Sequence, residues 1–170
     1  MRLSRDALLL LRKILIYFIV IFFASLVQTS FLAVIEPFGA VPDLVLIMTL
    51  GAGYFCGPLA GGIFGVAAGA VSYALGSLGF AFLPMLYCVV GAFTGFLVEN
   101  FFKGKFSVWC LYVAFASAVK CGASLAFIIL FSADVQFFAA IWRSVIPEFV
   151  GTLVLGAIMY VPTKKLCKLL

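Results

Sequence analysis

Two charged residues interrupt the long apolar runs of this chain and are the first candidates for chemistry: Lys120 and Glu148. A charge at the centre of a membrane helix costs about 2.5–3.5 kcal/mol on insertion scales, so such side chains face protein or a cavity. With a rise of 1.5 Å per residue, Lys120 lies about 16 Å below the outer end of its segment and Glu148 about 7 Å below the outer end of its own. A lysine reaching toward the surface covers much of that gap. Two readings follow. Lys120 and Glu148 form an ion pair, or Glu148, one residue after Pro147, satisfies the start of its own helix. A proton relay or ion path needs a chain of such groups, and only two stand out. Asp43 directly follows Pro42, and this pair has the form of a helix start: proline in the first turn, with an acid beside it. Gln28 has no partner within its own helix, which makes it a candidate for a hydrogen bond across helices.

Other chemistries lack their parts. The five cysteines, Cys56, Cys88, Cys110, Cys121 and Cys167, form no CxxC, and the chain has no His. A zinc site or a Cys–His nucleophile is therefore not expected. Four of the cysteines read as small apolar side chains within or at the ends of apolar runs. Cys167, in a basic tail, reads as a free thiol on the reducing side of a membrane. There is no paired-carboxylate site, phosphate-binding loop or nucleophile elbow. No catalytic, cofactor-binding or metal-binding residue is expected, and the chain does not read as an enzyme.

The elements that hold these residues are membrane helices. Of the 170 residues, 66% are hydrophobic and 10% charged, against about 45–50% and about 25% in soluble domains. The chain reads as one all-α membrane domain, residues 1–170, with six transmembrane helices in a single bundle. The spans fall near residues 14–33, 42–56, 58–75, 82–98, 107–131 and 144–161, each close to the roughly 20 residues that a bilayer core needs. The second is short. Gly57-Pro58 reads as a tight reversal, or as a kink in one long tilted segment. Glu36–Gly39, Gly76–Gly79 and the aromatic stretch from Ser132 to Arg143 read as loops, and Pro162 as the end of the last span. With the N-terminus inside, nine of the eleven basic residues fall on the inner side. This predicts both termini in the cytoplasm. The basic residues flank apolar runs, where they orient helices, which argues against a nucleic-acid partner. The run after Lys13 exceeds a signal-peptide core of about 7–15 residues and reads as a retained first span.

Gly53, Gly57, Gly61, Gly65 and Gly69 recur at every fourth position. In lipid this is a surface for close helix approach. It serves packing within the monomer, with Gly91 and Gly95 as the matching pair, or else a face for a partner.

Several of these residues together resemble the rod shape-determining MreD family. They are Gln28-Thr29-Ser30, Pro42-Asp43-Leu44-Val45-Leu46, Gly65-x-x-x-Gly69, Gly76 with Gly79, and Ile146-Pro147. Most of the chain is covered, and its length and basic ends agree. One departure is that the family's acid after the second glycine of the third span is missing from Ala70-Val71-Ser72-Tyr73. The resemblance implies a non-enzymatic scaffold of the bacterial cell-elongation machinery in the inner membrane. Its partner would be an MreC-type protein and, through it, MreB and the peptidoglycan polymerase and transpeptidase. The architecture is similar to substrate-binding S-components of energy-coupling-factor vitamin transporters, which supplies the alternative function. The Ala-x-x-x-Ala docking pattern of those subunits is not made by Ala24 and Ala33.

Overall fold

The computed structural model describes residues 5–35, 40–75, 82–101, 105–131 and 145–169. The loops expected at Glu36–Gly39, Gly76–Gly79 and Ser132–Arg143 lie outside the described residues, as does Lys103. Among the described residues six helical segments follow in order. They are α1 (Arg5–Leu26, prolonged by a wide π-helical stretch Val27–Leu32 and a turn Ala33–Ile35), α2 (Leu44–Cys56), α3 (Pro58–Ala74), α4 (Leu83–Asn100), α5 (Phe106–Phe131) and α6 (Ile146–Leu169). No strand occurs among the described residues.

Four stretches are long and apolar enough to cross a membrane: Leu15–Leu32, Leu83–Asn100, Phe106–Ala126 and Ile146–Cys167. Helices α2 and α3 are shorter apolar helices. Large apolar side chains such as Phe23, Phe31, Met85, Phe96, Leu111 and Ile158 stand on the outside. A patch of this kind on a monomer marks contact with an apolar phase, and together with the composition it makes this a multi-pass membrane protein.

Helix α2 is the hub. Every residue from Leu44 to Tyr54 is buried, because α1, α3, α4, α5 and α6 all pack around it. A helix hydrophobic on all sides belongs in such a place. The chain reverses after it at Gly57, whose φ is +98°, a backbone state open to glycine at little cost. Pro58 then opens α3, where its missing N–H is not needed. The reversal is tight enough that a Cβ on Gly61 would sit 2.7 Å from the Gly53 Cα. Gly57-Pro58 therefore joins two antiparallel helices and does not kink a single one.

Helices α3 and α4 pack backbone against backbone. A methyl group on Gly61 would strike the Gly91 carbonyl. One on Gly65 would strike the Tyr87 carbonyl, and one on Gly69 would strike Pro84. Gly91 and Gly95 face Gly61 and Pro58 from the other side. Gly57 is both the turn residue and the end of this seam: a Cβ on Gly95 would lie 2.7 Å from the Gly57 carbonyl carbon, and the Glu99 carboxylate is near Gly57.

At one end of the bundle Tyr54, Phe55, Trp109 and Tyr160 form an aromatic layer. The Trp109 indole N–H donates to the Gly156 carbonyl at 2.8 Å, and the Tyr54 hydroxyl donates to that of Lys105 at 3.1 Å. The first half of α1 and the last turn of α6 meet at this same end. The Tyr17 hydroxyl lies 3.8 Å from Cys56 Sγ, and Cys56 is disulfide-bonded to Cys167 with a Cα–Cα distance of 6.5 Å. This corrects the expectation of a free Cys167 thiol. Helix α6 runs on past Pro162 and carries Cys167 over the α2–α3 turn. Pro162 does not end the helix, and beside it the Thr163 hydroxyl donates to the Met159 carbonyl at 2.7 Å. Side-chain donors of this kind help membrane helices tolerate proline.

Candidate functional site

Asp43 begins the site. Asp43, with φ −87° and ψ 87°, stands in a tight turn that the Leu44 N–H closes on the Pro42 carbonyl at 3.2 Å, so α2 starts inside the protein with further backbone N–H groups that need partners. Three side chains satisfy this start. The Leu46 N–H donates to Asp43 Oδ1 at 2.9 Å, the Val45 N–H to Gln28 Oε1 at 3.0 Å, and the Asp43 N–H to Thr152 Oγ1 at 3.0 Å. Asp43 is thus the cap that the sequence suggests, and Gln28 makes its bond across helices. The Thr152 hydroxyl in turn donates to the Glu148 carbonyl at 2.8 Å. Gln28 lies in the π-helical stretch of α1. Just before and within that stretch, Ser25 and Thr29 hydroxyls donate to backbone carbonyls one turn back. Such bonds compete with the regular ladder and bend helices.

The other Asp43 oxygen does more. Oδ2 accepts a hydrogen bond from the Tyr87 hydroxyl and lies 2.6 Å from Lys120 Nζ. Lys120 also pairs with Glu148 Oε1. Side-chain exposure is 0% for Asp43, 3% for Lys120 and 23% for Glu148. The cluster is therefore closed at Asp43 and opens toward the surface at Glu148. Lys120 stands about 21 Å along α5 from its first residue, well away from both helix ends.

The structure joins Lys120 and Glu148, the pair considered from sequence, and adds Asp43 as a second counter-ion. Glu148 is in the first turn of α6 behind Pro147, yet its side chain turns to Lys120 instead of its own helix start. Tyr87 and Thr152 were not singled out by sequence. Thr152 carried a signal, since it lies four residues after Glu148 and so shares its helix face. Tyr87 carried none. Five helices contribute to the cluster: Gln28 from α1, Asp43 at the head of α2, Tyr87 from α4, Lys120 from α5, and Glu148 and Thr152 from α6.

The glycine seam and the cluster meet in one residue. The Tyr87 carbonyl rests on Gly65, while its hydroxyl binds Asp43. The depth to which α4 sinks onto α3 therefore sets where the phenol reaches.

Chemically, the cluster is a fastener. One ammonium is shared by two carboxylates, and the buried Asp43 accepts from a backbone N–H, a phenol and the ammonium. No group of His, Cys, Asp and Glu that could hold a metal ion occurs among the described residues. A separate groove of about 470 Å³ between α4 and α5 is lined by Phe93, Leu97, Leu111, Tyr112, Ala114 and Phe115 and carries no charge. No family model, curated protein or solved structure matches the chain.

Proposed function

We propose that this chain is a non-enzymatic scaffold of the bacterial cell-elongation machinery. It would sit in the inner membrane and bind an MreC-type protein. The observation that carries the non-catalytic part is the closure of the polar cluster. Its ionisable groups satisfy one another across four helices, which suits a part that holds a bundle in shape for others to bind. The partner comes from the resemblance of Gln28-Thr29-Ser30, Pro42-Asp43, Gly65-x-x-x-Gly69 and Ile146-Pro147 to the MreD family.

In this reading the protein has six spans and both termini in the cytoplasm. Helix α2, with 13 residues, covers about 20 Å of a hydrocarbon core of about 30 Å, and in this reading the residues before Asp43 complete its crossing. Exposed Lys105, Lys164 and Lys165 stand at one end, as positive charges on the inner face do.

Three measurements test this. The purified protein, co-expressed with an MreC-type protein in detergent, is expected to hold that partner in a pull-down. Its native mass spectrum is expected to show lipid at most. A vitamin bound one-to-one would replace the scaffold with the transporter-subunit reading. For orientation, a Cys-free variant carrying Lys105→Cys is expected to react with a membrane-impermeant maleimide only from the cytoplasmic side. Reaction from the periplasmic side reverses the topology.

A further inference from the structure

We infer that the Cys56–Cys167 bond is a redox latch, a reversible tie between the lysine-bearing last turn of α6 and the α2–α3 turn. The inference rests on the orientation proposed above, which puts this end of the bundle in the cytoplasm. Disulfides in that compartment are rare and are mostly transient or redox-sensing.

Three features of the structure fit a latch better than a permanent brace. First, α6 is already held without it up to Thr163, whose side chain packs 3.2 Å from a Cβ position on Gly51. Beyond Thr163, the ties that the described residues show are the half-buried Leu166 and this bond. Breaking it would release little more than one helical turn. Second, that turn carries the exposed Lys164 and Lys165. Lys164 reaches back to within 5.5 Å of the Tyr160 ring centre and lies one turn before Cys167. Third, Cys56 is exposed while Cys167 is half-buried, so a reagent from solution has an entry point. Cys88, Cys110 and Cys121 are free thiols elsewhere in the bundle.

The closing step needs an oxidant, and a low-molecular-weight disulfide supplies it. The Cys56 thiolate attacks one sulfur of the small disulfide, expels a small thiol and leaves a mixed disulfide. The Cys167 thiolate then attacks the Cys56 sulfur and expels the second small thiol. The two protein thiols are oxidised, and the small disulfide is reduced to two thiols. A reducing thiol pool runs the same exchange backwards.

The test uses the full-length protein with Cys88, Cys110 and Cys121 replaced by Ala, in inside-out and right-side-out membrane vesicles. Vesicles are equilibrated with reduced or with oxidised glutathione. Free thiols are then blocked, the disulfide is reduced, and the released thiols are tagged with a polyethylene-glycol maleimide that shifts the band on a gel. In inside-out vesicles a two-tag shift is expected to appear after oxidised glutathione and to vanish after reduced glutathione, while a Cys56→Ser version, whose Cys167 can hold only a small thiol, shows one tag at most. Trypsin cleavage after Lys164 and Lys165 is expected to be faster in the reduced sample, with the difference lost in Cys56→Ser. A two-tag shift that appears in both glutathione states, or in neither, overturns the latch while leaving the Lys105→Cys orientation result standing. A response in right-side-out vesicles alone overturns the orientation, and the cytoplasmic latch with it.

Discussion

Replacing Lys120 with Met lowers the stability of the folded bundle by about 3–5 kcal/mol, the range for removing one partner from a buried ion pair. The upper part of the range is expected, because Lys120 serves two carboxylates. Asp43 is fully buried and would keep only the Leu46 N–H and the Tyr87 hydroxyl. Glu148 is partly exposed and loses less, since solvent can reach it. The ordering of single variants follows: Lys120→Met is the most damaging, and Glu148→Gln the mildest. The combined change Lys120→Met, Asp43→Asn and Glu148→Gln removes all the charges together and recovers a large part of the loss. Whole buried ion sets replaced by neutral groups of similar size are often close to neutral. Melting curves in one detergent for the singles and the triple provide the check. If the effects of the three singles simply add in the triple, the groups do not act as a cluster.

The second large effect belongs to the glycine seam, and the structure supplies its own control. A Leu at Gly65 must displace backbone, because even a bare Cβ there would lie 2.6 Å from the Tyr87 carbonyl carbon and 2.8 Å from the Cys88 nitrogen. Over-packing a well-packed site costs about 1–3 kcal/mol, and more where nothing flexible can yield. Gly65→Leu is placed at or above the top of that range, because it also draws the Tyr87 phenol away from Asp43. At Gly122, by contrast, nothing lies within 4 Å of an added Cβ. Gly122→Ala is expected to be neutral, or stabilising by up to about 1 kcal/mol from helix propensity. Both variants should insert with unchanged topology, since neither adds a charge. Melting curves and a pull-down with the MreC-type partner separate the outcomes. A Gly65→Leu protein that melts and binds like the parent would remove the seam from the account of this fold.

Much of the outline was legible because lipid imposes few solutions. Apolar run lengths located the helices, and Gly57-Pro58 marked a reversal because few residues other than glycine turn so tightly. The glycine spacing pointed to close contact, and Gly91 and Gly95 offered the matching surface. What was not legible depended on depth and rotation, which a linear sequence does not carry. Asp43 was readable as a cap, and it is one, but its second oxygen faces Lys120 only because α2 starts well inside the bundle and not at its edge. Tyr87 could have faced lipid like its neighbours Met85 and Val89, both of which are exposed. Pro162 looked like a stop signal, but α6 continues beyond it, alongside hydrogen bonds from the Thr163 hydroxyl. That continuation is also why the position of Cys167 above Cys56 could not be anticipated.

The all-round burial of α2 has a consequence for how the chain is made. Asp43 finds its phenol 44 residues later in the sequence, whereas its ammonium partner, Lys120, comes 77 residues later, and Glu148 follows 28 residues after that. At roughly 5–20 residues per second of synthesis, α2 waits on the order of 4–15 s before Lys120 has been made. During that wait, a helix meant to touch no lipid has a carboxylate without its cation, although Gln28 and Asp43 already cap its first N–H groups. The nascent α1–α2–α3 segment therefore has reason to stay in polar surroundings until its cation has been made. Release into the bilayer as a finished bundle would come late, when α5 and α6 arrive together.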